Sequence, residues 1–130
     1  MKKPNAVCDY TQSRNRNLRS VFYKCLGSKS GNMKDVYAAM ADFPADRFYI
    51  SEDRAYFLIY KKRKTGRWPA GMQPKKLSMI RTIDRRVKAL RSMHPGLSLK
   101  EAVFRVVNSP APRFYLTVGT IKVILSSTRR

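Results

Sequence analysis

The sequence predicts a mainly α-helical protein: two tandem three-helix repeats, helix-turn-helix-like in plan, docked as one compact six-helix unit. Three observations predict it. One segment recurs later in the chain in a constant register. Apolar residues recur at helical spacing in matched places of both copies. Helix-capping and helix-stopping residues bracket those stretches in both.

The repeat is read directly. Residues 35–51 are DVYAAMADFPADRFYIS and residues 101–117 are EAVFRVVNSPAPRFYLT. Pro44 and Ala45 match Pro110 and Ala111, and Arg47-Phe48-Tyr49 matches Arg113-Phe114-Tyr115. With a single gap, Leu18, Phe22 and Cys25 align with Ile83, Val87 and Leu90. The organisation expected is a basic flexible N-terminus (1–10), repeat one (11–64), a Gly- and Pro-marked linker (65–76) and repeat two (77–130). Each repeat alone is short enough to be marginal for independent stability, so docking is expected.

The first element of each repeat is an amphipathic helix. Leu18, Val21, Phe22, Cys25 and Leu26 share a face in one, and Leu77, Ile80, Ile83, Val87 and Leu90 in the other. Pro74 suits the first turn of the latter. The second element is a short helix capped by Asn32 or Ser98, with Ser98-Leu-Lys-Glu101 reading as a capping box. Pro44 and Pro110 stop it. The third element follows Arg-Phe-Tyr: Ser51 or Thr117 caps a helix from Glu52 to about Arg63, or from Val118 to about Ser127. Glu52 and Asp53 suit its N-terminus, and Lys61, Lys62, Arg63 and Lys64 its C-terminus. The alternative here is α+β, with a short β-hairpin after each Arg-Phe-Tyr, because residues 117–125 are rich in β-branched side chains around Gly119-Thr120. Ser51-Glu-Asp-Arg-Ala favours the helix.

Charge narrows the function. The 130 residues carry 28 Lys and Arg against 8 Asp and Glu, a net +20. Self-repulsion on that scale points to a polyanionic partner. An anionic membrane surface is the rival. No transmembrane segment is expected, because the longest apolar run, residues 55–60, falls far short of the ~20 residues of a membrane span. Residues 1–5 precede no apolar run of the signal-peptide kind. Repeat one carries +7 and repeat two +9, so both folded units share the charge. Cys8, Cys25 and His94 make no metal pattern, and free thiols are expected.

No catalytic constellation is evident. His94 lies where a helix ends, and the acids sit mostly at helix starts or turns, which capping explains. There is no Gly-rich phosphate loop, HExxH or CxxC. The expectation is a non-enzyme with no cofactor and no metal.

The candidate nucleic-acid-binding residues form four groups. Arg14, Arg16 and Arg19 lie in a polar N-terminal run that suits a phosphate backbone or a minor groove. Lys61, Lys62, Arg63 and Lys64 lead into Arg67 and Trp68. Arg81, Arg85, Arg86 and Lys88 lie on the polar face of a helix, and Arg129 and Arg130 end the sequence. In the repeated motif, Arg47 and Arg113 suit phosphates or base edges, and Tyr49 and Tyr115 suit a backbone contact or an unpaired base. The competing structural reading has Phe48 and Phe114 anchoring the turn, Ala45 and Ala111 allowing close approach, and the arginines solvated or capped by carbonyls.

The helix–turn–capped-helix order resembles helix-turn-helix DNA-binding proteins, whose capped second helix enters the major groove. The connection from Asp42 to Ser51 exceeds the usual 3–4-residue turn, and Glu52 and Asp53 are acidic. The Pro-Ala-x-Arg-Phe-Tyr string, followed by an apolar residue and Ser or Thr, resembles a class of small basic proteins from phages and mobile elements of gut Bacteroidetes. That resemblance implies a mobile-element setting and no defined activity.

The leading expectation is a cytoplasmic nucleic-acid-binding protein, DNA slightly ahead of RNA, serving as a regulatory, architectural or accessory factor of a phage or mobile element. It would be nucleoid- or ribonucleoprotein-associated, or carried in a phage particle. The alternatives are a structural or assembly subunit of a phage particle or ribonucleoprotein, with a protein partner, and a ribosome- or RNA-associated factor. No membrane partner is expected, and the sequence leaves the oligomeric state open.

Overall fold

A computed structural model describes residues 5–28 and 32–127. It is an all-helical unit: α1 (Asn5–Ser28), α2 (Met33–Ala41), α3 (Glu52–Thr65), α4 (Pro74–Met93), α5 (Leu99–Val107) and α6 (Val118–Ser127). The first helix starts at Asn5, so the boundary expected at residue 11 falls inside it; residues 1–4 of the expected tail lie outside the described residues. No strand occurs among the described residues, and residues 118–127 are helix rather than hairpin. Strand propensity loses here because the helical period buries Ile121 and Ile124 together, and burial outweighs the small per-residue preference.

The caps act where the sequence puts them. Asn32 Oδ1 accepts from Lys34 N–H (3.0 Å), Ser51 Oγ from Arg54 N–H (3.1 Å) and Thr117 Oγ1 from Thr120 N–H (3.2 Å). Ser98 Oγ accepts from Glu101 N–H (3.1 Å), but the Glu101 carboxylate takes Arg105 at 3.0 Å. Gly66 ends α3 at φ +83°, a left-handed conformation that glycine adopts without strain. Its N–H bonds to Lys62 O at 2.8 Å. Pro74 occupies the first turn of α4.

The packing crosses over. α1 packs on α2, and α4 on α5, as neighbours in sequence should. The third helices pack on the other half: α3 on α5 and on its sequence neighbour α4, and α6 on α2 and α1. Each half of the chain therefore covers the other half's helices, and one buried core draws residues from all six. The connection from Asp42 to Ser51 allows this. It carries the chain across to the other half, where a tight turn would have folded α3 back onto α2.

The two crossing connections meet at Ala45 and Ala111. These bond reciprocally through their backbones, N–H to O at 3.0 Å in both directions, and both side chains are buried. A methyl is small enough to let two backbones pair inside a core. On either side, Phe48 stacks with Tyr115 (centroids 6.2 Å apart) and Tyr49 with Phe114 (6.0 Å). Phe48 N–H bonds to Val107 O (3.1 Å), tying the first connection to the end of α5. Tyr115 takes φ +59°, a conformation that costs a non-glycine residue about 1 kcal/mol. The buried ring stack and the bond from its hydroxyl to Thr82 Oγ1 (3.1 Å) hold it there.

Candidate nucleic-acid interface

The crossover places α3 of the first half beside α4 of the second, and these are the most basic parts of the chain. Residues 54–91 hold thirteen Lys and Arg against a single acid, Asp84. Residues 66–73 turn the chain between the two helices, with Gly71 at φ +80° in that turn. Where the C-terminal end of α3, the turn and α4 converge, they leave a groove of about 660 Å³ lined by Lys62, Arg67, Trp68, Leu77, Arg81, Asp84, Arg85 and Lys88. Arg81, Arg85 and Lys88 stand at i, i+4 and i+7 on α4, so they form one stripe along its wall. Trp68 is half-buried against the core, and Lys62 Nζ lies 5.3 Å from the centre of its ring.

The lone acid is an anchor. Asp84 is 6% exposed and receives Arg63 at 2.5 Å and Lys88 at 3.7 Å. The Arg63 bond clamps α3 to α4 and sets the groove's width. Asp84→Asn is expected to lower stability by about 2 kcal/mol, between the cost of breaking an exposed pair and that of breaking a fully buried one. Thermal melting checks this. Because the change removes a negative charge from the groove, affinity for a polyanion should hold or rise in the same variant.

The other residues singled out from the sequence divide sharply. Lys61 and Lys64 lie on the outer side of α3, next to Phe57 and Tyr60. Arg86 points away from the groove, donating to Pro110 O (2.8 Å) with its guanidinium 5.2 Å from the Phe48 ring centre. Arg47 is bonded to its own turn, donating to Phe48 O (2.9 Å) and Ile50 O (2.7 Å), and approaches Glu52 at 4.0 Å. Arg113 reaches Asp42 at 3.9 Å. Tyr49 and Tyr115 are buried, at 8% and 7% exposure, with their rings in the aromatic stacks. Tyr49 Oη donates to Asn17 Oδ1 (2.8 Å), which also accepts from Asp46 N–H. Arg47 and both Phe-Tyr pairs are thus built into the crossover, each tyrosine stacked on a phenylalanine, whereas Arg113 is 48% exposed.

Arg14, Arg16 and Arg19 lie on α1, away from the groove lining. Arg14 is partly buried and bonded to Asn15, and burial lowers its guanidinium pKa from the ordinary value. Arg129 and Arg130 lie outside the described residues. Burial pushes the Glu52 carboxyl up, but the bond from Asn108 (3.0 Å), its own backbone and Arg47 together hold it below its ordinary value. That Asn108 bond joins the start of α3 to the end of α5 and so belongs to the crossover.

Asp84 in the groove, and Phe57 and Tyr60 on the outer side of α3, are missing from the candidates read in the sequence. Asp84 reads as one acid in a basic helix, although its place in the buried stripe with Ile80, Ile83 and Val87 marks a partnered charge. Phe57 and Tyr60 read as part of an apolar run, although the i, i+3, i+7 row of Arg54, Phe57 and Lys61 places Phe57 among exposed cations. Among the described residues there is no group of three His, Cys, Asp or Glu able to hold a metal, and no helix is long and apolar enough to cross a membrane. No protein-family model, curated protein or solved structure matches the chain, so the site's own geometry carries the functional argument.

Proposed function

We propose that the protein is a non-enzymatic nucleic-acid-binding protein that grips the phosphate backbone in the groove between α3 and α4. The observation that carries this is the convergence of Lys62, Arg67, Arg81, Arg85 and Lys88 around Trp68, with Asp84 already neutralised by Arg63. Five cations at one groove repel one another unless a polyanion releases that repulsion, and phosphates are such a partner. Contacts of this kind fix register on a strand without reading sequence. An architectural or accessory role on a phage or mobile-element nucleic acid fits that chemistry.

Trp68 is the chain's only tryptophan, so its fluorescence reports on the groove itself. Titration with an oligonucleotide is expected to change that fluorescence. The logarithm of affinity should fall with the logarithm of salt at a slope of about 4, from five groove cations at roughly 0.7–0.9 each. Salt-independent binding, or binding that leaves Trp68 fluorescence unchanged, defeats the proposal.

A further inference from the structure

We infer that the outer face of α3 is a stacking platform for unpaired bases, so that the preferred ligand is single-stranded rather than duplex nucleic acid. This rests on the nucleic-acid reading of the neighbouring groove. Phe57 is 49% exposed and Tyr60 41%, side by side on a helix whose core face is already filled by Ala55, Leu58 and Ile59. Cations accompany both rings. Arg54 and Lys61 lie 5.8 and 5.9 Å from the centre of Phe57, and Lys64 lies 5.4 Å from that of Tyr60. Tyr56 stacks on Tyr60 at 5.9 Å and steadies it. The same helix supplies Lys62 to the groove on its inner side, so one helix carries both features.

The fold itself does not require these side chains. In the alignment of the two halves, the α6 positions are Thr120 for Arg54, Val123 for Phe57, Ser126 for Tyr60 and Ser127 for Lys61. α6 packs on α1 and α2 much as α3 packs on α4 and α5. Yet the residues at those positions are small or aliphatic, and Lys122 is the helix's sole cation. Aromatic rings interleaved with cations are what a single strand needs. The cations hold successive phosphates, and each ring receives the face of a base. In a duplex those faces are stacked on one another and unavailable, so exposed rings add nothing to backbone binding.

The test compares three labelled probes of one mixed sequence of about 20 nucleotides: single-stranded DNA, single-stranded RNA and duplex DNA. The intact protein is expected to bind one or both single strands more tightly than the duplex at equal salt. A Phe57→Ala/Tyr60→Ala variant should lose roughly tenfold to a hundredfold on the single strand and less than about twofold on the duplex. Phe57→Tyr/Tyr60→Phe, which keeps both rings, should restore binding. The two single-stranded arms show which sugar is accepted. Duplex binding as tight as single-strand binding, or equal losses on both probes, overturns the platform and leaves the groove standing. Failure of every probe to bind at low salt overturns the groove, and the platform with it. Both rings lie outside the core, so the variant should melt with the parent protein, and a circular-dichroism melt confirms that the loss is one of binding.

Discussion

Replacing Arg81, Arg85 and Lys88 together by alanine is expected to weaken nucleic-acid binding by about two orders of magnitude near 0.1 M salt and to flatten the log–log salt slope by roughly 2–3. The three side chains form one stripe on α4 and supply three of the groove's five cations. Each phosphate they neutralise releases counterions, so removing them lowers affinity most where salt is lowest. Stability should stay within about 0.5 kcal/mol, because Arg81 and Arg85 are exposed and the Lys88–Asp84 pair, at 3.7 Å with Lys88 62% exposed, is weak. Arg86→Ala is the control. It removes a charge from the same helix, but Arg86 bonds to Pro110 O and covers Phe48. It should lower the melting temperature and leave most of the slope intact. If the triple variant and Arg86→Ala weaken binding equally per charge, the protein attracts polyanions by its overall charge and the groove has no special part.

The helices and most of their ends, though not the start of α1 at Asn5, are legible in the sequence because their causes are local. Ser51, Asn32, Ser98 and Gly66 act on backbone groups close by in the chain, and the apolar spacing of α1 and α4 marks which face is buried. What that face meets is not local. Ala55, Leu58 and Ile59 announce a buried stripe on α3, but nothing in their spacing says that α5 rather than α2 will cover it. The site shares that blindness. Residues 61–67 and 81–88 stand out as basic clusters in the sequence, yet they form one groove only because residues 66–73 turn α4 back against α3. Tyr49, Tyr115 and Arg47 are ambiguous for another reason: a tyrosine and an arginine in a turn suit a ligand as well as a core, and burial alone decides. The aromatic stacks and the Phe48 and Ile50 carbonyls decide for the core.

Phe48→Ala is expected to cost about 4 kcal/mol, and so about 15 °C in melting temperature for a chain of this length. The side chain is fully buried at the crossover. Truncation removes a ring, leaves a cavity between two connections pinned by the Ala45–Ala111 pairing, and deprives Tyr115 of the stack that holds its left-handed backbone. Arg86 loses the ring beneath its guanidinium at the same time. The surroundings have little room to collapse, because the backbone on both sides is hydrogen-bonded across the halves. Phe48→Leu, which keeps most of the volume, should cost about 1 kcal/mol. The shape of the transition carries a second result. If each half were its own folding unit, a cavity in the first would leave the second melting at its original temperature. Because α3 is covered by α4 and α5, and α6 by α1 and α2, the variant should still unfold in one step, with near- and far-ultraviolet signals lost together. A melt split into a shifted and an unshifted phase would show that the crossover does not couple the halves, and a shift of only a few degrees would show that Phe48 is not the wedge between them.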